Sequence, residues 1–257
     1  MTPDALATFA NMDLFWLLLA LAGGAFGTMI GANNAFSFTG VTILLGFALA
    51  ATTGNTVGLD WVAFGPAFGP HIAFAGGVAA AAYAAKKGYL ASGGKDVNSP
   101  LVGLGKPDVI IVGALFGAGG YLFQKLVALL PWFGSHTDSV AFTVVTSGIV
   151  VRIMFGKTGV FHKLTKPEGT TRWLDWQETS GQLLAVSGFA SLFAAGIATM
   201  LVGYIAPNVQ HSEVIVNNAQ VIPFAISAIC IFFVAGGLRF PVTHHMTITA
   251  GLAAIAF

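Results

Sequence analysis

Apolar residues follow one another in long runs along this chain, and short polar clusters separate the runs. Hydrocarbon offers no partners for backbone N–H and C=O groups, so a chain in a bilayer must form helices or a closed barrel. Transmembrane strands alternate apolar and polar residues, whereas these runs are continuous. We therefore predict an all-α, polytopic integral membrane protein. The runs predict about eight transmembrane segments, at 13–32, 35–51, 62–85, 108–131, 139–155, 179–205, 219–238 and 240–257.

Composition strengthens this prediction. Hydrophobic residues make up 56% of the 257 and charged residues only 8%, whereas soluble domains carry about 25% charged residues. We expect a single membrane domain over 1–257, with the lipid bilayer as its surroundings. The formal net charge of +1 offers no electrostatic basis for binding nucleic acid.

Basic residues are concentrated in two polar loops. Residues 86–107 and 157–178 each hold four of the 11 Lys and Arg residues. Short loops rich in Lys and Arg remain on the cytoplasmic side of a membrane. We therefore expect a multi-pass protein of the cell (plasma) membrane, with both loops cytoplasmic and the N-terminus outside.

One predicted segment contains a run that resists helix formation. Phe64 to Pro70 includes two prolines, Pro66 and Pro70, and each removes a backbone donor and clashes with the preceding turn of a helix. Irregular backbone at membrane depth is tolerated where it is buried in protein or lines a wet cavity. We expect Gly/Pro-broken or re-entrant half-helices here.

Two distant stretches share a pattern that predicts a partial internal repeat. Ala22-Gly23-Gly24 precedes Asn33-Asn34 and Gly40, and Ala235-Gly236-Gly237 precedes His244-His245 and Gly251. In both, the doubled polar residue ends six positions before the glycine, as His71 stands six before Gly77. Chance is the alternative, because Gly and Ala are common in such chains. Paired broken segments are typical of transporters, where they mark the binding site.

The candidate site residues are polar or helix-breaking residues within apolar runs: Asn33, Asn34, Pro70, His71, Gly77, His244 and His245. Polar side chains are costly in lipid unless they are paired or hydrated, so each suggests a solute pathway. Packing or an interfacial position is the alternative for each histidine. His244 and His245 point about 100° apart on a helix, so at most one should face a pathway.

The sequence supports no cofactor, metal site or catalytic residue. The histidines lack the spacing of a zinc motif such as His-Glu-x-x-His. The carboxylates stand in loops or at segment ends, so no deep pair suggests acid–base chemistry.

We therefore expect a permease or channel for a small polar solute or ion. A membrane-embedded enzyme using the histidines, and a membrane subunit that mainly binds other proteins, remain alternatives. A homo-oligomer or a second subunit is compatible with the pattern. The apolar run that reaches Phe257 also suggests that the natural chain continues.

Overall fold

The computed structural model of this chain describes residues 14–156, 160 and 174–257. Helices make up 78% of it, and the described residues contain no strand, which confirms the all-α prediction. The longer helices are α1 (Leu14–Ile30), α2 (Ala32–Thr53), α3 (Ala75–Lys86), α4 (Pro107–Ala128), α5 (Ser139–Phe155), α6 (Ser180–Met200), α7 (Ser212–Asn218), α8 (Val221–Ala235) and α9 (His244–Ala256). The predicted N-terminal side and most of the 157–178 loop lie outside the described residues.

Three helical stretches are long and apolar enough to cross a membrane: α2, α4 and the continuous stretch Ser180–Asn208. The pair α7 and α8, bent by 58° at its break, would make a fourth. Helix α5 has 17 residues, or about 26 Å at helical rise against a hydrocarbon core of about 30 Å, and 17 residues of α1 are described. Association with a membrane is compatible with these helices, but the eight predicted crossings are not confirmed.

At least one predicted segment does not continue as regular α-helix. The 62–85 run contains π-helical turns at Gly58–Ala63 and Pro70–Phe74, with non-helical residues between them. The expected break at Pro66 and Pro70 is therefore confirmed. Residues 206–218, which lie between two predicted segments, contain α7.

The chain divides into two compact units. Unit 1 comprises residues 1–36 and 64–161, and unit 2 comprises 37–63 and 162–257, so the boundary passes through α2 after Phe36. Each unit is described by itself.

Glycines hold the helices of unit 1 close together. A Cβ added to Gly117 of α4 would lie 2.6 Å from the carbonyl oxygen of Ala20 and 2.7 Å from the Cα of Gly24, both in α1. A Cβ added to Gly76 of α3 would lie 2.7 Å from the carbonyl oxygen of Gly113. Small residues allow helix backbones to approach where lipid provides no hydrophobic drive. We call this junction of α1, α3 and α4 the glycine seam.

The basic loop between α3 and α4 is folded. Leu90 and Leu101 pack with Ala80, Ala84 and Val109 in a buried cluster. Within the loop, Asp96 accepts hydrogen bonds from the hydroxyls of Ser92 and Ser99 and from the backbone N–H groups of Asn98 and Ser99. Burial disfavours the charged carboxylate, but these hydrogen bonds outweigh burial and hold the pKa of Asp96 below its usual range.

In unit 2, α6 packs along α9, and α8 contacts both. The non-helical segment before α9 is held by side chains from the turn before α6. Gln177, only 5% exposed, accepts a 2.8 Å hydrogen bond from the Val242 N–H and donates a 3.4 Å bond to its carbonyl. Trp176 donates to the Phe240 carbonyl at 3.0 Å. These bonds fix the point at which α9 begins.

Candidate functional site

The non-helical run of unit 1 ends at a buried histidine. Gly69 precedes the π-helical turn Pro70–Phe74, which runs directly into α3. Pro70 is the first residue of this turn, and His71 is the second. Proline suits this position because its fixed φ is already helical and its missing N–H is not needed there. His71 is 1% exposed, and its Nδ1 has no hydrogen-bond partner among the described residues.

Glycines on both sides make room for His71. Its carbonyl oxygen lies directly over Gly120 of α4, at a position that a side chain on residue 120 would occupy. A Cβ on Gly69 would lie 2.6 Å from the Cε1 of the imidazole. The next residue, Ile72, packs in a buried cluster with Ala20 and Tyr121. Glycine backbone therefore approaches His71 closely at both its imidazole and its carbonyl.

Polar groups from α4 and α5 lie in the same part of unit 1. Gln124 donates a 2.8 Å hydrogen bond to the hydroxyl of Ser139. The half-buried Lys125 places its ammonium 5.7 Å from the centre of the Tyr121 ring. No carboxylate is hydrogen-bonded to His71 within the described residues.

The unpaired Nδ1 is a costly feature. A buried polar atom without a partner costs about 1–3 kcal/mol, and native structures keep few of them. Neutral imidazole has one donor and one acceptor nitrogen, so His71 could hydrogen-bond a small polar molecule in either sense.

A second break separates α1 from α2. Gly31 adopts a φ of +90°, and a Cβ there would lie 2.6 Å from the carbonyl oxygen of Asn98. Asn34 donates a 2.7 Å hydrogen bond to the carbonyl of Ile30, four residues earlier. Asn33 donates through its N–H to the Val97 carbonyl at 2.9 Å and through its amide to the Asn98 side chain at 2.6 Å. The folded basic loop therefore covers this break.

Gly77 connects the two features of unit 1. A Cβ on Gly77 would lie 2.9 Å from both Cα and Cβ of Ala32, at the start of α2. Six residues separate His71 from Gly77, or about 9 Å along a helix. The structure thus places Pro70, His71 and Gly77 on one helical stretch. The Gly77 end of this stretch packs against the start of α2, next to Asn33 and Asn34.

The paired histidines of unit 2 begin α9. His244 is half-buried with its ring 6.4 Å from that of Phe224, whereas His245 is exposed. Their two rings lie 4.2 Å apart. Before them, Thr243 donates a buried 3.1 Å hydrogen bond to the hydroxyl of Ser227 in α8.

The repeat predicted from Ala-Gly-Gly does not correspond in structure. Gly23 and Gly24 lie in the middle of α1, where they contact other backbones. Gly236 and Gly237 end α8, and Gly237 has a φ of +87°. The same triplet serves helix packing in one place and helix termination in the other, so this alignment is wrong.

The sequence prediction missed a polar break in unit 2. Helices α7 and α8 meet at Ala219 and Gln220, and Gln220 Oε1 is buried without a hydrogen-bond partner in the described part of the chain. Asn218 donates a 2.9 Å hydrogen bond to the Val214 carbonyl. A signal was present, because Asn217-Asn218-Ala219 repeats the tripeptide Asn33-Asn34-Ala35.

Metal-ligating side chains and threonine hydroxyls add little to the site. Among the described residues, no three His, Cys, Asp or Glu side chains group closely enough to hold a metal ion. The hydroxyls of Thr42, Thr247 and Thr249 donate to carbonyls of the preceding turn, as expected of threonine inside a helix.

The chain belongs to the family of unknown function DUF7973, which matches residues 6–168. That range includes every described residue of unit 1. Neither the comparison with curated proteins nor that with solved structures gave a match.

Proposed function

We propose that this chain is a permease or channel that moves a small polar solute or ion through the bilayer, along a path that passes the His71 break. The observation that carries this proposal is the 1%-exposed His71 at the end of a Gly/Pro-broken segment, because its Nδ1 is buried without a hydrogen-bond partner among the described residues. Transporters place their binding sites at discontinuous helices, where irregular backbone and helix ends meet the solute.

A packing role explains His71 less well. An apolar side chain of similar size would fill the same space without leaving a buried nitrogen unpaired. Gln124, at the neighbouring level of α4, has its partner in Ser139. The arrangement satisfies one polar side chain and leaves the next one unpaired, as a site for a transient partner would.

The proposal includes the topology expected from the sequence, with the N-terminus outside and the loops 86–107 and 157–178 cytoplasmic. The Asn33 contacts support it, because they join the basic loop to the end of α1 that the same topology assigns to the cytoplasm. A single cysteine at exposed Ser92, in a Cys230→Ala background, should react with an impermeant thiol reagent only after the cells are opened. Reaction on intact cells would refute this topology.

The function is tested by solute flux into proteoliposomes that contain only this chain. We expect His71→Ala to reduce flux of the transported solute by about tenfold or more, because one or two hydrogen bonds to the solute are lost. His71→Gln, which keeps a donor and an acceptor, should retain part of the flux. His136→Ala is the matched control, since His136 is exposed and far along the chain from the break.

Two results would refute the proposal. Flux that His71→Ala leaves unchanged, in a variant with normal folding yield, would make His71 a packing residue. Absence of flux across a panel of neutral and charged small solutes would favour the alternatives, a membrane-embedded enzyme that uses the histidines or a subunit that binds other proteins.

A further inference from the structure

We propose that unit 2 carries a second solute-binding station, built like that of unit 1, in which Gln220 and the Asn217-Asn218-Ala219 break are joined through Gly251 to the His244 helix. This inference rests on the proposed transport function. It assigns the solute to a class: a small neutral molecule that both donates and accepts hydrogen bonds.

The first observation is the contact that joins each histidine-led helix to a helix break. In unit 1, Gly77 packs on Ala32, the first residue after the break. In unit 2, Gly251 packs on Gln220, where a Cβ would lie 3.3 Å from both Cα and Cβ of that residue. Both glycines stand six positions after a histidine, His71 and His245. In each unit, a histidine-led helix therefore packs through a glycine against a residue at a helix break.

The second observation is the geometry of the two Asn-Asn-Ala tripeptides. Asn34 donates to the carbonyl of Ile30, and Asn218 donates to that of Val214, each four residues earlier. The alanines that follow, Ala35 and Ala219, are both 0% exposed. The tripeptide thus lies beside the break in both units, opening the helix that follows it in unit 1 and closing the helix that precedes it in unit 2.

The third observation concerns the helix starts and the unpaired atoms. Phenylalanine and then proline precede the histidine in both units: Phe68 comes before Pro70, which begins the helical stretch, whereas Phe240 and Pro241 both lie in the non-helical segment before α9. Each unit also buries a polar atom that has no hydrogen-bond partner in the described residues, Nδ1 of His71 and Oε1 of Gln220. A costly unpaired atom in both units points to a partner that comes and goes.

The solute class follows from charge. Helices α6, α8 and α9 of unit 2 contain no Asp, Glu, Lys or Arg, and the one charged residue of α7, Glu213, is exposed. An ion at this station would lose its hydration without a counter-charge, which is expensive in a low-dielectric interior. Amide and imidazole groups each supply donors and acceptors. A neutral solute such as an amide or a polyol matches the unit 2 station.

The station is tested by cysteine accessibility and by flux, on the full chain in liposomes with Cys230→Ala. A cysteine at Gln220 should react with a small water-soluble thiol reagent, and glycerol or urea should slow that reaction. Leu252→Cys is the matched control on α9, because Leu252 is 51% exposed on an apolar face and should face lipid. A thiol in lipid stays protonated and reacts slowly.

Flux of glycerol and urea should fall about fivefold to tenfold in Gln220→Ala, the loss expected for one hydrogen bond, and stay within about twofold in Leu252→Ala. Gln220→Glu, which nearly keeps the side-chain shape, is the second variant if Gln220→Ala folds poorly. It should also reduce flux, because it places an uncompensated charge at the station. Formate and ammonium should pass far more slowly than glycerol and urea.

The outcomes separate this inference from the proposed function. If His71→Ala reduces flux but Gln220 variants do not, and Gln220→Cys is as unreactive as Leu252→Cys, unit 2 has no station and the permease proposal stands. If formate or ammonium passes as fast as glycerol, the neutral class is wrong. If wild type moves none of the probes but reagents reach Gln220→Cys and glycerol protects it, the station exists and the permease proposal fails.

Discussion

Replacing Gly117 with alanine tests whether the glycine seam sets the spacing of unit 1. The added methyl group would lie 2.6 Å from the Ala20 carbonyl oxygen, whereas ordinary contact begins at 3.4 Å. Because the obstacle is backbone and not a side-chain end, α1 and α4 must separate by about 0.8 Å at this level, the difference between those two distances. Overpacking of this kind costs about 1–3 kcal/mol.

Gly119→Ala is the matched control. It lies on the same helix two residues away, and nothing stands within 4 Å of its added Cβ. Alanine is the better helix former by about 1 kcal/mol, so this variant should be unchanged or slightly more stable. Both variants would be unfolded by heat in the same detergent, and the midpoints compared. Equal stability of Gly117→Ala and Gly119→Ala would refute the idea that backbone contact at the seam holds α1 against α4.

Three further predictions concern the loop and the α9 segment. Gly31→Ala should destabilise more than Gly93→Ala in thermal unfolding, because both have positive φ but only Gly31 also contacts backbone; each should lose about 1–2 kcal/mol from φ alone. The pKa of Asp96 is lowered in the folded chain, so the ionised carboxylate stabilises the loop at pH values above its pKa in the unfolded chain, and this stabilisation is lost as the pH falls below about 4. The protease resistance of the wild-type loop should therefore fall below about pH 4. The loop of Asp96→Asn should show no such fall and should be cleaved faster than wild type at neutral pH. Gln177→Ala should lose about 1–3 kcal/mol by leaving the Val242 N–H unpaired, whereas Gln177→Glu, which keeps the acceptor, should lose less.

The helical class and the break near Pro70 could be predicted from sequence because each follows from a local rule. An apolar run in lipid must be helical, and Pro66 and Pro70 cannot sit inside a regular helix. The length of each crossing could not be predicted in the same way. The stretch Leu201–Ile205 is as apolar as α6 yet changes to π-helical turns, and hydropathy carries no information about which hydrogen-bond pattern the backbone adopts.

Side-chain roles were harder to predict, because they depend on distant residues. Asn33 was a candidate for being polar in an apolar run, but its partners Val97 and Asn98 come from a loop 64 and 65 residues away in sequence. The pairs Gly23-Gly24 and Gly236-Gly237 look alike in sequence but have different roles. The first pair contacts the backbone of other segments, whereas the second ends a helix. Gln220 could not be predicted as a site residue, because a single Gln beside apolar residues resembles the end of a transmembrane segment. Only the structure shows that it lies at a 58° bend between α7 and α8.

Stability and transport should respond in opposite directions when His71 is replaced by leucine. The asparagines at the other breaks donate to nearby carbonyls, but His71 keeps a buried, unpaired nitrogen. Leucine has a similar size and no polar atom, so removing the unpaired group should stabilise the fold by about 1–3 kcal/mol. Sites that are kept for function at a cost in stability behave this way. His71→Leu would be compared with wild type by thermal unfolding in detergent and by flux in liposomes. A more stable variant without flux is expected; a less stable variant would show that the imidazole holds the fold together, and the permeation path would then have to be sought elsewhere.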